Sequence, residues 1–324
     1  MPAIEVRGLH KRYKDTVAVE DVSLTVEEGE IYGILGRNGA GKTTTVEAVA
    51  GLRRPDRGEV RVFGLDPRRD RRVRQLLGVQ LQEAALHSSL TVRELVRLHR
   101  SFHRDGADPD ELIELVGLAD RRRTRFEKLS GGQQQRLNIA LALVGRPRAV
   151  ILDELTTGLD PAARRHMWEA VAGLRDRGVT VVLVSHHMEE VERLCDRLAL
   201  IERGRVAAVD TPDGLVARAG LDQVVRFRTR DPFDPALLDG VAEVRAVRTE
   251  DGLVTATGTG ELLHAVSTAL VTAGVAALDT TYRRAGLEDA FLALTGSPFD
   301  PASSYPASAS SYLADDANRE GTER

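Results

Sequence analysis

Gly36-Arg37-Asn38-Gly39-Ala40-Gly41-Lys42-Thr43 is the stretch on which the rest of the chain turns. The apolar run Ile31 to Leu35 before it reads as a buried strand. Thr44 to Ala50 after it reads as a helix, closed by Gly51. Strand, glycine loop, lysine, hydroxyl and helix is the order of a phosphate-binding P-loop. Glycines let successive backbone N–H groups turn inward onto phosphate oxygens. The helix N-terminus adds partial positive charge at the same place. Lys42 is placed to reach the β- and γ-phosphates, and the Thr43 hydroxyl to ligate Mg²⁺. The four fixed positions arise by chance in roughly one chain in a hundred of this length. Only Lys11, Lys14, Lys42 and Lys128 occur against 41 arginines, so the loop lysine is not a by-product of a lysine-rich composition.

Outward from the loop, residues 3–35 alternate apolar and polar. Ile4 and Val6, then Val17, Val19, Val22, Leu24 and Val26, predict antiparallel strands. Residues 84–147 predict helices. Thr91-Val92-Arg93-Glu94 is a capping box, Asp108-Pro109 opens a second helix ended by Gly117, and Ser130 caps a third that stops before Pro147. Residues 148–152 are a buried strand closed by Asp153-Glu154. A helix from Asp160-Pro161 to near Gly178, the strand Val179–Val184, then His186 and a helix through Cys195 complete a strand–helix alternation. That alternation implies a largely parallel sheet, with ligands beyond its carboxyl ends, where the P-loop, Asp153-Glu154 and His186 converge.

The bulk properties narrow the function. At 324 residues, one large domain or two smaller ones are expected. A net charge of −4 and a pI near 6.1 argue against nucleic acid as the main partner. One cysteine, Cys195, excludes an intrachain disulfide. The amino terminus lacks a basic-then-apolar signal, and no apolar run approaches the ~20 residues of a membrane span. A soluble, cytoplasmic chain is expected. The arginines at 53, 54, 57, 68, 69, 71, 72 and 74 read as a solvated face interleaved with Asp56, Asp66 and Asp70, or else as a contact for anionic headgroups or an acidic partner loop. His99 and His103 have i,i+4 spacing but no third ligand, and Gly258-Thr259-Gly260 lacks the third glycine of a dinucleotide fingerprint.

Residues 224–295 read as a small second domain. Strands are expected at Val224–Thr229, Val241–Val247, Leu253–Thr257 and Val275–Tyr282, with helices at 260–273 and 287–295. The Pro/Ser/Ala-rich, then polar, stretch from Ser297 predicts disorder.

Asp153 ends an apolar strand, the place from which an Asp of a P-loop NTPase holds Mg²⁺, and Glu154 beside it can polarise an attacking water. Leu129-Ser130-Gly131-Gly132-Gln133 is a second anion-binding helix end. With these motifs the chain resembles the ATP-binding subunits of ABC transporters. The resemblance covers residues 3–215. It implies that Ser130, Gly131, Gly132 and Gln133 close over ATP held by the opposite subunit. It likewise implies that Tyr13 stacks on adenine, that Gln82 touches Mg²⁺ and the coupling interface, and that Asp153 is the metal acid and Glu154 the catalytic one. Gly158-Leu159-Asp160 matches the dimer-facing D-loop, and His186 the γ-phosphate histidine. ATP binding then falls to Tyr13, Gly36, Arg37, Asn38, Gly39, Ala40, Gly41, Lys42, Thr43 and Thr44, catalysis to Glu154, His186 and Gln82, and Mg²⁺ to Thr43, Gln82 and Asp153. Leu155 departs from the family's proline, which relaxes the backbone but removes no functional group. ATPase activity is expected to survive it.

The expected architecture is an α/β P-loop NTPase with antiparallel β and helical subdomains. It comprises an ATP-binding domain at 1–219 (helical part about 84–147), a small α+β domain at 220–296 and a tail at 297–324. Beyond residue 220 the chain is similar to drug- and antibiotic-export ATPases, most clearly in Leu287 to Gly296. The expected function is the ATPase subunit of a bacterial exporter, with ATP and Mg²⁺ as cofactors. It would pair with a second copy or a paralogue and drive a separate multi-span permease from the inner face of the cell membrane. A soluble ABC ATPase of translation or DNA repair is the alternative, against which stand the single cassette and the absence of a long insertion or basic tail. A regulatory module that uses ATP only to dimerise is disfavoured by Glu154 and His186.

Overall fold

A computed structural model describes residues 2–80, 86–156 and 159–296. The expectations for Gln82, for Gly158 and for the tail from Ser297 fall outside these residues. In chain order the first part comprises β1 (Pro2–Tyr13), β2 (Thr16–Glu27), β3 (Ile31–Leu35), α1 (Lys42–Val49), β4 (Arg57–Val62), α2 (Val73–Leu76) and β5 (Leu77–Gln80). The helices α3 (Val92–Arg100), α4 (Pro109–Leu115) and α5 (Gly131–Leu143) follow. Then come β6 (Ala149–Asp153), α6 (Pro161–Asp176), β7 (Thr180–Ser185), α7 (Met188–Leu194), β8 (Arg197–Glu202), β9 (Arg205–Asp210) and α8 (Pro212–Ala219). The last part holds β10 (Gln223–Arg228), β11 (Val244–Glu250), β12 (Leu253–Gly258), α9 (Leu262–Thr272), β13 (Leu278–Arg283) and α10 (Leu287–Thr295).

Among the described residues, nine strands form one sheet in the order β4-β1-β2-β9-β8-β3-β7-β6-β5. β3, β7, β6 and β5 run parallel, and β8 is parallel to β3. β1 pairs antiparallel with β2, as the alternation at 3–35 predicts, and on its other edge with β4. The central strands are apolar on both sides because both faces are covered. Ile31, Leu35, Val150, Leu152, Val181 and Leu183 face the helical layer with α3 to α7. Their neighbours Tyr32, Ile34, Ile151, Val182 and Val184 face α1 and the antiparallel strands. Successive side chains point to opposite faces, so a run with no polar gap is what a two-sided strand requires.

The helical capping signals hold. Thr91 and Glu94 form the reciprocal box that opens α3, Asp108 accepts from the amides of Asp110 and Glu111, and Ser130 and Gln133 box the start of α5. In the arginine-rich stretch, Arg53, Arg69 and Arg72 pair with Glu47, Asp66 and Asp70, and β4 runs through its middle. The hairpin β8–β9 turns on Arg203 and Gly204, both at positive φ (48° and 74°), which suits the twist of a two-residue turn.

A second sheet of four antiparallel strands, β11-β12-β10-β13, is covered on one face by α9. Its core is Val225, Phe227, Val254, Ala256, Leu262, Val266 and Leu270. Two boundaries differ from expectation. Val241 and Val275 pack against this core, but in the connections that precede β11 and β13 rather than in strands. Val275 donates its N–H to Leu270 and so closes the end of α9 after Gly274, which sits at φ 69°. The larger difference is α10. Expectation grouped residues 287–295 with the small sheet, but their buried face, Leu287, Ala290 and Phe291, packs on α8, α7 and β9 of the large unit. The small sheet is thus spliced between α8 and α10, two helices in contact with each other.

Candidate active site

Local backbone sterics shape the loop after β3. Gly41 sits at φ 102°, where a Cβ would meet the Ala18 carbonyl oxygen at 2.5 Å. A Cβ on Gly36 would lie 2.2 Å from the Ile201 oxygen. Both positions therefore demand glycine. The turn of the β8–β9 hairpin braces the loop from behind, with Gly204 N–H donating to the Ala40 oxygen at 3.0 Å. No side chain caps α1, so its first turn presents main-chain N–H groups to a ligand. Thr43 is exposed in that turn, whereas Thr45 turns back to donate to the Gly41 oxygen at 2.9 Å.

Lys42 is only 7% exposed. Its Nζ donates to the carbonyl oxygens of Gly36 (2.7 Å) and Arg37 (3.1 Å), which holds the ammonium inside the loop. Burial lowers its pKa, opposed by the charges of Glu154 and Asp153. The loop cation and the two acids therefore share one site.

The acids come from the end of β6. Asp153 is buried, and desolvation first, then the Glu154 charge, push its carboxyl up to about 6. Its N–H donates to Gln80 Oε1 at 3.1 Å, so the last residue of β5 braces the strand end. Glu154 stands at φ 52°, uncommon for a residue with a Cβ, held by its N–H to the Val184 oxygen (2.9 Å) and by Gln135 Nε2 on its own carbonyl (3.3 Å). His186 Nδ1 lies 3.3 Å from Glu154 Oε1. With the proton on Nδ1, that contact holds the Glu154 carboxyl below the usual carboxylate range, against the effect of burial. Two adjacent carboxyls are thereby pushed apart: Asp153 up, Glu154 down. Such a pair, beside a phosphate cradle, can hold a cation with one member and orient a water with the other.

The remaining expected residues are placed as follows. Tyr13 ends β1 with its ring 5.5 Å from both Lys11 Nζ and the Arg53 guanidinium. Ser130 and Gly131 are exposed at the start of α5, and Gly132 closely approaches Leu159. Asp160 caps α6 by accepting from Ala162 and Ala163 N–H, both at 2.9 Å. His187 is half-buried with its ring 4.1 Å from that of His186, and burial lowers its pKa. Gln80 and Gln135 join the site without a mark in the sequence. A glutamine at the end of a short strand, or inside a glutamine-rich helix, carries no local pattern that singles it out.

Among the described residues no helix is long and apolar enough to cross a membrane. The family described as ABC transporter matches residues 19–157. The chain is 39% identical over 307 residues to the daunorubicin resistance ATP-binding protein DrrA3 of Streptomyces coeruleorubidus, covering 91% of this chain and 96% of that one. It is 41% identical over 303 residues to the Nod factor export ATP-binding protein I of Burkholderia pseudomallei (strain 1710b), covering 90% and 97%. Among solved structures, a dimeric ATP-binding cassette in a post-hydrolysis state, bound to ADP and Pi, superposes with TM-score 0.60 at 27% identity, over 64% of this chain and 98% of that chain. The Clostridium perfringens protein cbiO1, part of the ABC transporter complex cbiONQ, gives TM-score 0.60 at 26% identity, over 67% and 91%.

Proposed function

The chain belongs to the ATP-binding subunits of ABC transporters, and from that premise we propose how it works: as the ATP-hydrolysing subunit of an exporter for a small amphiphilic compound, acting on a separate multi-span permease. One observation carries the reading. The buried Lys42 ammonium, held on the loop carbonyls, lies within the field of both Asp153 and Glu154. A triphosphate there gains main-chain donors, a cation and an acid pair together.

In this reading the loop from Gly36 to Thr44 binds the phosphates and Tyr13 supplies a face for the adenine. The hydroxyl of Thr43 and the carboxylate of Asp153 are hard oxygen donors, and the raised pKa of Asp153 marks a buried acid that a divalent cation would relieve, so the donor set fits Mg²⁺. Gln82 would complete that set. Bound Mg²⁺ would neutralise charge on the terminal phosphates. Glu154, kept ionised by His186, accepts the proton of the attacking water. The bond from the γ-phosphorus to the bridging oxygen breaks, and ADP and inorganic phosphate leave. His186 orients Glu154 and faces the γ-phosphate. Ser130 to Gln133, whose first two residues are exposed, would complete the site of a second copy or a paralogue. The dimeric cassette and the cbiONQ component support such assembly by likeness. The catalytic unit is taken as residues 1–219 together with α10, with 220–286 as an accessory module, and it would sit on the cytoplasmic face of the membrane through the permease.

Steady-state hydrolysis of Mg-ATP by the full chain tests this. Glu154→Gln should lower kcat by about 10²–10⁴-fold while nucleotide affinity is retained. Undiminished turnover would remove Glu154 from the base role.

A further inference from the structure

Glu190, in the first turn of α7, is a carboxylic acid that is 0% exposed, between the apolar Val191 and Leu194 of the same helix and the buried polar Thr156 and Ser185. Both of its oxygens are occupied. Ser185 Oγ donates to Oε2 at 2.5 Å, and the indole Nε1 of Trp168 donates to Oε1 at 3.3 Å. The buried Thr156 hydroxyl lies beside the same carboxyl without an aligned hydrogen bond of its own. Arg164, one turn before Trp168 on α6, adds a favourable charge. One side chain thus meets three segments of the site: residue 156, two places after Glu154; Ser185, directly before His186; and α6, whose amino end is capped by Asp160.

The Ser185 hydroxyl has a single proton. Because that proton goes to Glu190, its lone pair is free to accept the N–H of His187, at 3.0 Å. The direction of the hydroxyl therefore fixes the backbone on both sides of His186. Two donors aimed at two oxygens require an acceptor at each, which a carboxylate supplies and an amide does not. A buried acid is costly compared with an apolar residue of similar volume, so its position is not explained by packing.

We propose that Glu190 is a positioning residue for hydrolysis: through Ser185 it sets the orientation of His186 toward Glu154, and through Trp168 it locks the histidine turn to α6. The inference rests on the roles given above to His186 and Glu154. Neither the loop motifs nor the resemblance singles out this residue.

The test uses the full chain and four variants, Glu190→Gln, Ser185→Ala, His186→Ala and the double variant Glu190→Gln/His186→Ala. Folding is checked by thermal melting, and nucleotide binding by a fluorescent ATP analogue. Glu190→Gln and Ser185→Ala should each lower kcat by about tenfold or more, the loss of one well-placed hydrogen bond, while KM and analogue affinity stay within about twofold. In the His186→Ala background Glu190→Gln should cause no further loss, because its effect passes through that ring. Nitrogen NMR of the wild-type chain and Glu190→Gln should show an altered imidazole signal for His186, identified by its absence from His186→Ala, and none for the distant His103. Full additivity, or kcat unchanged in Glu190→Gln, overturns the proposal. If Glu190→Gln fails to fold, Ser185→Ala decides by the same criteria. If His186→Ala keeps wild-type turnover, the reading of the site and this inference fall together. If His186→Ala is crippled but Glu190→Gln and Ser185→Ala are not, only this inference falls.

Discussion

The two sheets of this protein bury different kinds of side chain. Every buried polar or charged residue among those described, from Lys42 through Asp153 and His186 to Glu190, belongs to the nine-stranded sheet and its helices. The core of the four-stranded sheet is wholly apolar. The contrast follows from topology. Parallel strands bring all their carboxyl ends to one side, so the loop after β3, Asp153 at the end of β6 and Ser185-His186 at the end of β7 converge. Antiparallel strands send alternate ends in opposite directions and gather nothing. The large unit thus carries unfavourable burial for the sake of chemistry, and the small one has no such burden.

Large-to-small substitutions in the two cores should act on separate units. Trp168 is the chain's one tryptophan and lies in the helical layer of the large unit, so its fluorescence reports that unit alone. Phe291→Ala should destabilise the transition seen by Trp168 by about 3–5 kcal/mol, although residue 291 lies beyond the small sheet in sequence. Phe227→Ala, equally buried, should leave that transition in place and act on the small sheet. The reverse pattern would return α10 to the small unit.

Asp153→Asn sharpens the contrast by removing one unfavourable burial. The carboxyl is raised from 3.8 to about 6 in the folded chain, so the folded state holds this proton more tightly than the unfolded state does. Its contribution to stability is therefore best below about pH 4 and is lost as pH rises through about 6. In the absence of nucleotide, the asparagine variant should be more stable than wild type at pH 7.5 by up to roughly 3 kcal/mol, with no gain at pH 4. Urea melts at the two pH values measure this. An equal or lower stability at pH 7.5 would mean that Asp153 is already compensated.

The smallest effect concerns helix ends. Thr91→Ala removes a reciprocal cap and should cost about 1 kcal/mol. Glu261→Ala, at the start of α9 where no side chain caps the helix, should stay within about 0.5 kcal/mol.

Much of this was legible because the signals are local. The phosphate loop, the capping boxes at Thr91 and Ser130, and the apolar strand ending at Asp153 each lie in one short segment whose residues state their own requirement. What was hidden depends on distant partners. Leu287, Ala290 and Phe291 announce a buried face but not what covers it. Glu190 reads as a solvated helix residue until Ser185 and Trp168 are seen around it. The left-handed backbone at Glu154 has no sequence mark, because non-glycine residues seldom adopt it. The hairpin at Arg203-Gly204 was hidden for a different reason: β9 is half-exposed, so its apolar pattern is weak.

In the proposed cycle ATP joins two copies of this chain across a shared site, with Glu154 required for hydrolysis but not for closure. Size-exclusion chromatography with light scattering on Glu154→Gln, with and without Mg-ATP, reads this out. The account predicts monomer mass without nucleotide and dimer mass with it, reversed by a further Ser130→Arg substitution at the surface that would face the second ATP. A monomer mass at saturating Mg-ATP, with nucleotide shown to be bound, would contradict closure between two copies.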